Sequence, residues 1–573
     1  MEVLENAGKV FYYSTKTGEQ QVPLHHGVAI SGAMDAAAIK AFCRKHEIGL
    51  LIDAAHPFAG QLHSAVAEVV QVMGIPAVRY ERIFPERDSD IMWLDDYASA
   101  VREINEPTLL ATTGVQSIVH LKPLEAKGVR VYYRILPRET SRELAMQASI
   151  APEQLCYYEE GEPLNVNAAA ILLKESGVSG GFAEKVAAAR ALGMKIYALK
   201  RPATPSGFHQ VNGVHGLRRM VEKLLPEFFS LHSGLTTGTC ATAAAVAATQ
   251  RLLNGNMPEE VSVTLPNGET IMVEVGYGPD YAYCIKEAGD DPDATDGIEV
   301  RAHVERSEAF RIIGGEGVGR FSVPGFDYAV GEAAINKGPR QMIRENIFRL
   351  TKAYGQWSMV NGQLSITISV PGGEEIARRT FNPRLGIEGG ISIIGVSGIV
   401  MPYSEEAFIG SIRKCLEVAK ASGTKCVVIN SGAKSEGILR ARYPELPPQA
   451  FVQYGNHIGA TLQIASELGI GRVVLGVMLG KAVKLAAGHL DTHSCHHTMD
   501  KAFVQSLLIE AHCIIDISGI TLARELWGML PPERLPHFAR TVITHCAEHC
   551  RRLLPHGELT ILLIDDEGKI YEI

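Results

Sequence analysis

The chain has 573 residues, 46% hydrophobic and 21% charged, with a formal net charge of −9 and a mean hydropathy of +0.05. That length implies several compact units, and the balanced composition excludes a disordered chain; no apolar run approaches the roughly 20 residues of a bilayer span. The acidic balance and the lack of a dense basic run exclude a broad nucleic-acid surface.

Met1-Glu2-Val3-Leu4-Glu5 is not an export signal, and the ten cysteines are scattered, so a cytoplasmic protein with reduced thiols is expected. Up to residue 226, aliphatic runs at 48–53, 108–112 and 195–199 alternate with helical stretches. Strand followed by helix, repeated, predicts parallel sheets covered on both faces, here as two small doubly wound, Rossmann-like units. A helical pattern over 217–225, then Pro226 and a turn in composition toward Gly and Thr, places a division there: one region over 1–226, a second over 227–573.

Thr236-Thr237-Gly238-Thr239-Cys240 opens an alanine-rich stretch, which predicts a helix with hydroxyls at its start. Its free N–H groups suit a carboxylate or phosphate, and the same residues also serve as plain N-caps. Asp290, Asp291, Asp293 and Asp296 share one loop, fit to bind a cation, to orient basic groups, or to form a solvated turn; Gly297 comes one position late for an EF-hand. Gly315, Gly317 and Gly319 have the spacing of a nucleotide loop, but Pro324 interrupts any following helix. Aliphatic segments at 426–429 and 473–475 predict a mixed α/β second region. Residues 476–481 fall one short of a phosphate loop and carry Ala482 where Ser or Thr is required, which excludes ATP hydrolysis. His489, His493, His496 and His497 crowd around Cys495, a composition that suits a metal; with no second cluster a polar site or surface role is expected, and no metal is assigned. His545 to Cys550 reads as part of an amphipathic helix. No zinc-protease motif, nucleophile elbow or Cys-x-x-Cys pair is present, which argues against hydrolases.

From residue 231 to about 520 the sequence resembles the cobalt-precorrin-5B C1-methyltransferase family. The blocks that carry this are Ser233 to Ala241, Lys286-Glu287-Ala288-Gly289-Asp290-Asp291-Pro292-Asp293, Gly314 to Arg320, Ala334-Ile335-Asn336 with Pro339-Arg340, Thr380 to Ile387, Gly389-Gly390-Ile391-Ser392, and Gly480-Lys481 with Lys484 to Gly488 and Thr492-His493-Ser494. The N-terminal part resembles precorrin-6A reductases through Ile52 to Ala59, Ile75 to Arg82, Thr112-Thr113-Gly114, Arg134 to Pro137, and Lys174-Glu175-Ser176-Gly177 with Gly180-Gly181 and Glu184-Lys185. Reductases of that family begin with a strand and a Gly-Gly-Thr loop that have no counterpart here, and a start assigned too far downstream is the expectation. Cys495-His496-His497 also departs from the methyltransferase pattern.

The resemblance implies S-adenosylmethionine as methyl donor, C1 of a cobalt-containing tetrapyrrole as acceptor, and NADH or NADPH for a following reduction. It suggests Thr236, Thr237, Gly238, Thr239, Arg340, Arg384, Lys481, Lys484 and His493 for substrate. Asp290, Asp291, Asp293, Gly315, Gly317, Gly389 and Gly390 are suggested for the donor side, the aspartates alternatively for loop organisation. Asp53, His56, Thr113 and Lys174 would line the reductase cleft, at strand ends where open α/β sheets bind ligands. A small-molecule partner is expected, with no nucleic acid, no membrane and an open question of homo-oligomerisation. The competing expectations are a reductase region that only docks substrate, or a chain that only carries tetrapyrroles.

Overall fold

A computed structural model describes residues 1–16, 22–159, 161–164, 166–324, 328–354, 364–493 and 498–573. Contacts divide the chain into two units, one of Met1–Ser233 with Ser262–Met272, the other of Gly234–Val261 with Val273–Ile573.

The first unit contains a two-stranded parallel pair and two larger parallel sheets. Strands β1 (Phe11–Thr15) and β2 (Gly27–Ser31) form a parallel pair, and β3 (Leu51–Asp53), β4 (Ala77–Glu81) and β11 (Phe208–Asn212) form a sheet in the order β11-β4-β3. The second sheet is all parallel, ordered β5-β10-β9-β6-β7-β8. Its strands are β5 (Met92–Leu94), β6 (Thr108–Ala111), β7 (Arg130–Ile135), β8 (Leu155–Tyr157), β9 (Ala170–Lys174) and β10 (Lys195–Leu199). Continuous apolar runs form these strands because both faces are covered. Leu109, Ala111, Ala170, Leu172, Tyr197 and Leu199 enter one core, whereas Leu110, Ile171, Leu173, Ile196 and Ala198 enter another on the opposite face. Helix α1 (Gly213–Leu224) follows β11.

The second unit begins with helix α2 (Thr237–Asn254), buried from Thr237 to Thr249. Small alanines allow close packing all round, and the buried hydroxyls of Thr242 and Thr249 donate back to the Gly238 and Ala245 carbonyls at 2.8 and 2.7 Å. This helix packs on a mixed sheet of β12 (Gly276–Tyr277), β13 (Ala282–Ile285), β14 (Glu299–Arg306), β16 (Leu364–Ser369) and β15 (Arg311–Gly314), in that spatial order, and against α3 (Lys337–Ala353). A second sheet runs β18-β17-β19-β20-β21, with β17 (Val427–Asn430), β18 (Phe451–Gln453), β19 (Arg472–Met478) and β20 (Glu558–Ile564) parallel and β21 (Ile570–Tyr571) antiparallel. Chain order reverses between β17 and β19, the position at which such sheets open a crevice. The mixed α/β architecture expected from the sequence is therefore present, with doubly wound sheets in the first unit.

Gly315 to Gly319 precede an extended segment that forms a short strand over Arg320–Phe321, so no nucleotide-loop helix follows. The His545–Cys550 stretch ends helix Leu535–Cys550, with Cys546 and Cys550 buried and His545 2.8 Å from Glu510. The nine cysteines among the described residues carry free thiols, and no helix among the described residues is long and apolar enough to cross a membrane.

Candidate functional site

In the first unit, Thr113 and Lys174 follow or end adjacent parallel strands, β6 and β9, at their carboxyl ends. This is again where the strand order reverses. The Thr113 hydroxyl is buried and donates to Ser117 Oγ at 2.6 Å. Lys174 Nζ stands 5.2 Å from the centre of the Phe58 ring, so the loop after β3 meets the end of β9. Burial holds the Lys174 amine below its ordinary range. His56, in the same loop, accepts the Phe58 N–H on Nδ1 at 3.2 Å. Burial first, then Arg82, Lys174, Arg79 and Lys185, depress His56 to about 4, so at neutral pH it is an uncharged imidazole with its proton on Nε2. Asp53 belongs to a different layer: its carboxylate lies 2.6 Å from His63 Nδ1 and 2.9 Å from Arg79 Nη1 and also accepts the Ala55 N–H. His56 and Lys174 therefore share one positive field, with Asp53 fixing the loop that presents His56, while Thr113 follows the neighbouring strand β6 with its hydroxyl held by Ser117. Arg82 and Lys185, which are not among the residues expected to line the cleft, add to this positive field, and the signal for Arg82 in the sequence is its place just past a strand end.

In the second unit the helix start is closed. Thr236 caps α2 by accepting the Thr239 N–H, Gly238 N–H donates to Ile394 O at 2.9 Å, and the Thr239 hydroxyl donates to Gly398 O at 2.6 Å. Thr237 Oγ1 meets Ser392 O, Ile394 O and Ile394 N–H. The Gly238 N–H and the Thr239 hydroxyl are thus taken by the 392–398 segment and the Thr239 N–H by Thr236, because a buried helix end needs partners within the fold.

Asp293 accepts from Thr295 N–H and Oγ1 and pairs with the buried Lys286 at 2.8 Å; Lys286 is the leading cause that holds its carboxyl below the usual range against burial. Asp291 accepts the Tyr403 N–H at 3.2 Å. For these two the geometry is loop organisation, and Asp290 lies beside them in sequence.

The expected cofactor glycines serve backbone crossing. A Cβ on Gly317, which has φ +68°, would stand 1.8 Å from Val370 O; on Gly390, 2.2 Å from Gly317 O; and on Gly315, 2.4 Å from Ser369 Oγ. Gly389 differs, since a Cβ there meets open space. Asn382 holds this crossing by donating to Gly390 O and accepting from Ser392 Oγ.

Arg340 donates to the carbonyls of Ile335, Ile312 and Ala333, and lines an open groove of about 460 Å³ with Tyr328, Lys337, Gln341 and Arg344. Arg384 lies 3.1 Å from Glu436, a buried carboxylate of helix α4 (Ala433–Arg442) that also takes Arg440 and Gln453. Gln453 ends β18, and just beyond it Gly455 O and Asn456 Oδ1 accept from Lys481, the latter at 2.7 Å. Lys481 opens helix α5 (Leu479–Ala486) after β19; Lys484, one turn on, donates to Thr492 O at 3.2 Å. The His493 N–H is held by Asp491. Arg384, Lys481, Lys484 and His493 are therefore tied to the carboxyl edge of the parallel sheet, whereas Thr236–Thr239 and the crossing glycines are tied to the segment 380–398. Glu436, Asn456 and His457, which meets Glu405 at 3.3 Å, were missed from sequence because their role depends on strand ends distant along the chain. Cys495, His496 and His497 lie outside the described residues.

Residues 226–402 match the CbiD family and residues 1–222 match the family described as Precorrin-6x reductase CbiJ/CobK. A cobalt-precorrin-5B C(1)-methyltransferase of Prosthecochloris aestuarii is 42% identical over 349 residues, covering 58% of this chain and 94% of that protein. One of Geobacillus kaustophilus is 39% identical over 345 residues, covering 58% and 91%. Among solved structures, a CobK precorrin-6A reductase is 20% identical with a TM-score of 0.32, over 39% of this chain and 92% of that one, a likeness on which nothing below rests. The identity spanning nearly the whole of the curated relatives decides the matter: the chain belongs to the cobalt-precorrin-5B C(1)-methyltransferase family and carries on its N-terminal side a region that matches the precorrin-6x reductases.

Proposed function

We propose that this bifunctional enzyme methylates C1 of cobalt-precorrin-5B with S-adenosylmethionine, giving cobalt-precorrin-6A, and that its N-terminal region reduces that product to cobalt-precorrin-6B with NADH or NADPH. The observation that carries this is the 42% identity across 94% of a curated methyltransferase. The match of residues 1–222 to a reductase family supports the second half, since the product of one reaction is the substrate of the next.

Transfer of a methyl group from sulfonium to carbon is an in-line displacement, for which alignment matters more than acid-base groups. The donor, when bound, supplies the methyl group. Asp293 does not fit as its counter-charge, because its carboxylate is paired with Lys286 and accepts from Thr295, and no step is assigned through it. Basic residues fit the polycarboxylate macrocycle better. Lys337, Arg340 and Arg344 gather in the first turns of α3, where the helix dipole disfavours cations unless an anion arrives. Among the described residues Lys481 donates to the carbonyl oxygens of Gly455 and Asn456, which leaves its charge available for a carboxylate. In the reductase cleft, Lys174 and Lys185 would hold carboxylates while neutral His56 offers an Nε2 proton beside the ring being reduced.

Incubation of the full chain with cobalt-precorrin-5B and donor is expected to add the mass of one methyl group, and added NADH or NADPH is expected to be oxidised. A mass that does not change would leave a carrier. Methylation without oxidation of nicotinamide would leave a docking module at the N-terminal side.

A further inference from the structure

Beneath the loop that carries His56, a chain of buried polar side chains runs from one element to the next. Arg79 of β4 donates to the Asp53 carboxylate at 2.9 Å, to the Asp53 carbonyl at 3.1 Å and to Glu81 at 2.7 Å. Asp53 Oδ2 in turn lies 2.6 Å from Nδ1 of His63, a residue of the helix Gly60–Met73. His63 is buried, at 6% exposure, and its Nε2 lies 3.1 Å from the backbone carbonyl of His56. The chain thus ends on the backbone of the residue assigned to the reduction.

The two contacts of the His63 ring decide its protonation. A carbonyl oxygen only accepts, so Nε2 donates to His56. The other nitrogen faces a carboxylate whose Oδ1 already takes Arg79 Nη1 and the Ala55 N–H, contacts that suit the ionised form, so Nδ1 donates as well. A neutral imidazole has a single N–H and would turn a lone pair on one of the two oxygens, which is costly in a buried place. The neighbouring charges act in both directions. Arg79, Arg82, Lys174 and Lys185, the cations that depress His56, oppose a further positive charge here. Against them stands the direct contact with Asp53, which otherwise shares Arg79 with Glu81, a carboxylate that Arg82 also faces.

The same contacts hold the loop at two points. The His56 carbonyl accepts the Ala59 N–H at 2.8 Å and so closes a tight turn over Pro57 and Phe58, within which His56 Nδ1 accepts the Phe58 N–H. Asp53 fixes Ala55 on one side of that turn, and His63 fixes the carbonyl on the other.

We propose that His63 is a positioning residue for the reduction: it carries a proton on each ring nitrogen, anchors one on Asp53 and the other on the His56 carbonyl, and thereby sets the His56 ring against the bound macrocycle. This rests on the reductase reading above and adds to it a residue that touches neither substrate nor cofactor.

An amide replaces one imidazole nitrogen at a time. The side-chain nitrogen of Asn reaches the place of Nδ1 and that of Gln the place of Nε2, so His63→Asn keeps the bond to Asp53 whereas His63→Gln keeps the bond to His56. The full chain is given cobalt-precorrin-6A with NADPH or NADH. His63→Asn is expected to lower kcat about tenfold or more with KM for both ligands little changed, and His63→Gln to stay within about threefold of wild type. Thermal melts and methylation of cobalt-precorrin-5B by the same preparations report that both variants are folded. Nitrogen NMR of the histidine-labelled full chain at neutral pH, with the His63 signals identified by their absence from the variants, is expected to show both ring nitrogens protonated. Wild-type kcat in both folded variants overturns the proposal. A loss in His63→Gln as large as that in His63→Asn overturns it too, in favour of a purely structural ring, and so does a His63 ring with one bare nitrogen. A wild-type chain that oxidises neither cofactor defeats the reductase reading itself, and the positioning role with it.

Discussion

Lys481 is a half-buried cation whose described partners are a backbone carbonyl, an amide oxygen and the ring of Tyr454. Burial first, then the neighbouring Lys484, lowers its pKa to about 8. The sign of the consequence differs for binding and for stability. The ammonium is present below pH 8 and lost above it, so the KM for a polycarboxylate substrate should rise through pH 8 to 9, by up to about tenfold per pH unit if the charge is essential. The unfolded chain keeps its proton to about pH 10.4, so this one group makes folding more favourable as pH rises from 8 to that value. Steady-state methylation across pH checks it: Lys481→Met should raise KM at pH 7 and erase the step, and an unaltered step would assign it elsewhere. Gly317 is the opposite kind of residue. Its motif spacing suggested ligand approach, yet the space at its Cα is filled by Val370 O. Spacing alone cannot separate glycine needed for a ligand from glycine needed for another backbone. Gly317→Ala combines a left-handed φ with that collision and should cost about 3 kcal/mol, whereas Gly389→Ala should cost about 1 kcal/mol. Thermal melts of the two variants check this, and equal losses would refute it.

At the level of elements, what the sequence shows best is what depends on neighbours in the chain. The runs at 108–112 and 195–199 announced strands because parallel strands covered on both faces are apolar without alternation. Thr236 announced a helix start because capping is local. The order β5-β10-β9-β6-β7-β8, and the meeting of Lys174 with Phe58, depend on pairings far apart in sequence and left no periodic trace. The acidic loop was legible as a loop, but its purpose turned on Lys286, which lies in the preceding motif and is buried to 2% exposure. A buried ammonium stripped of its partner is the large effect here. Asp293→Asn should therefore cost about 2 kcal/mol, less than for a fully enclosed pair because the Asp293 side chain is 28% exposed. The pair's own contribution requires ionised Asp293, and since its pKa is lowered it persists down to acid pH and is lost only as pH falls through the folded value. If the loop is organised by this pair and makes no contact with the donor, the variant melts earlier while the KM for S-adenosylmethionine stays unchanged. A raised donor KM with normal stability would return Asp293 to the ligand.

For the whole molecule, the division by contacts is not a single cut in the sequence, because Ser262–Met272 groups with Met1–Ser233. The reason is visible at helix α1. It has no side-chain cap of its own, and its first amides, Val214 and His215, donate instead to Glu269 at 3.1 and 2.8 Å. Asn212 Oδ1, just before the helix, accepts the Thr270 N–H, and Ile271 lies against Gly216. A fragment that stops at Ser233 keeps both parallel sheets but loses these partners. The lost cap alone costs about 1 kcal/mol, and with the lost packing the deficit should approach 2 kcal/mol, or about 5 °C in the melting midpoint for a region of this size. Residues 1–233 fused through a flexible linker to 262–272 should recover most of that difference, and the same fusion carrying Glu269→Ala should recover little of the capping part. Calorimetry on the three proteins decides it. If the fragment and its fusion melt together, the segment 262–272 contributes nothing to the first unit, and a simple cut at the end of the reductase-like region would be sound.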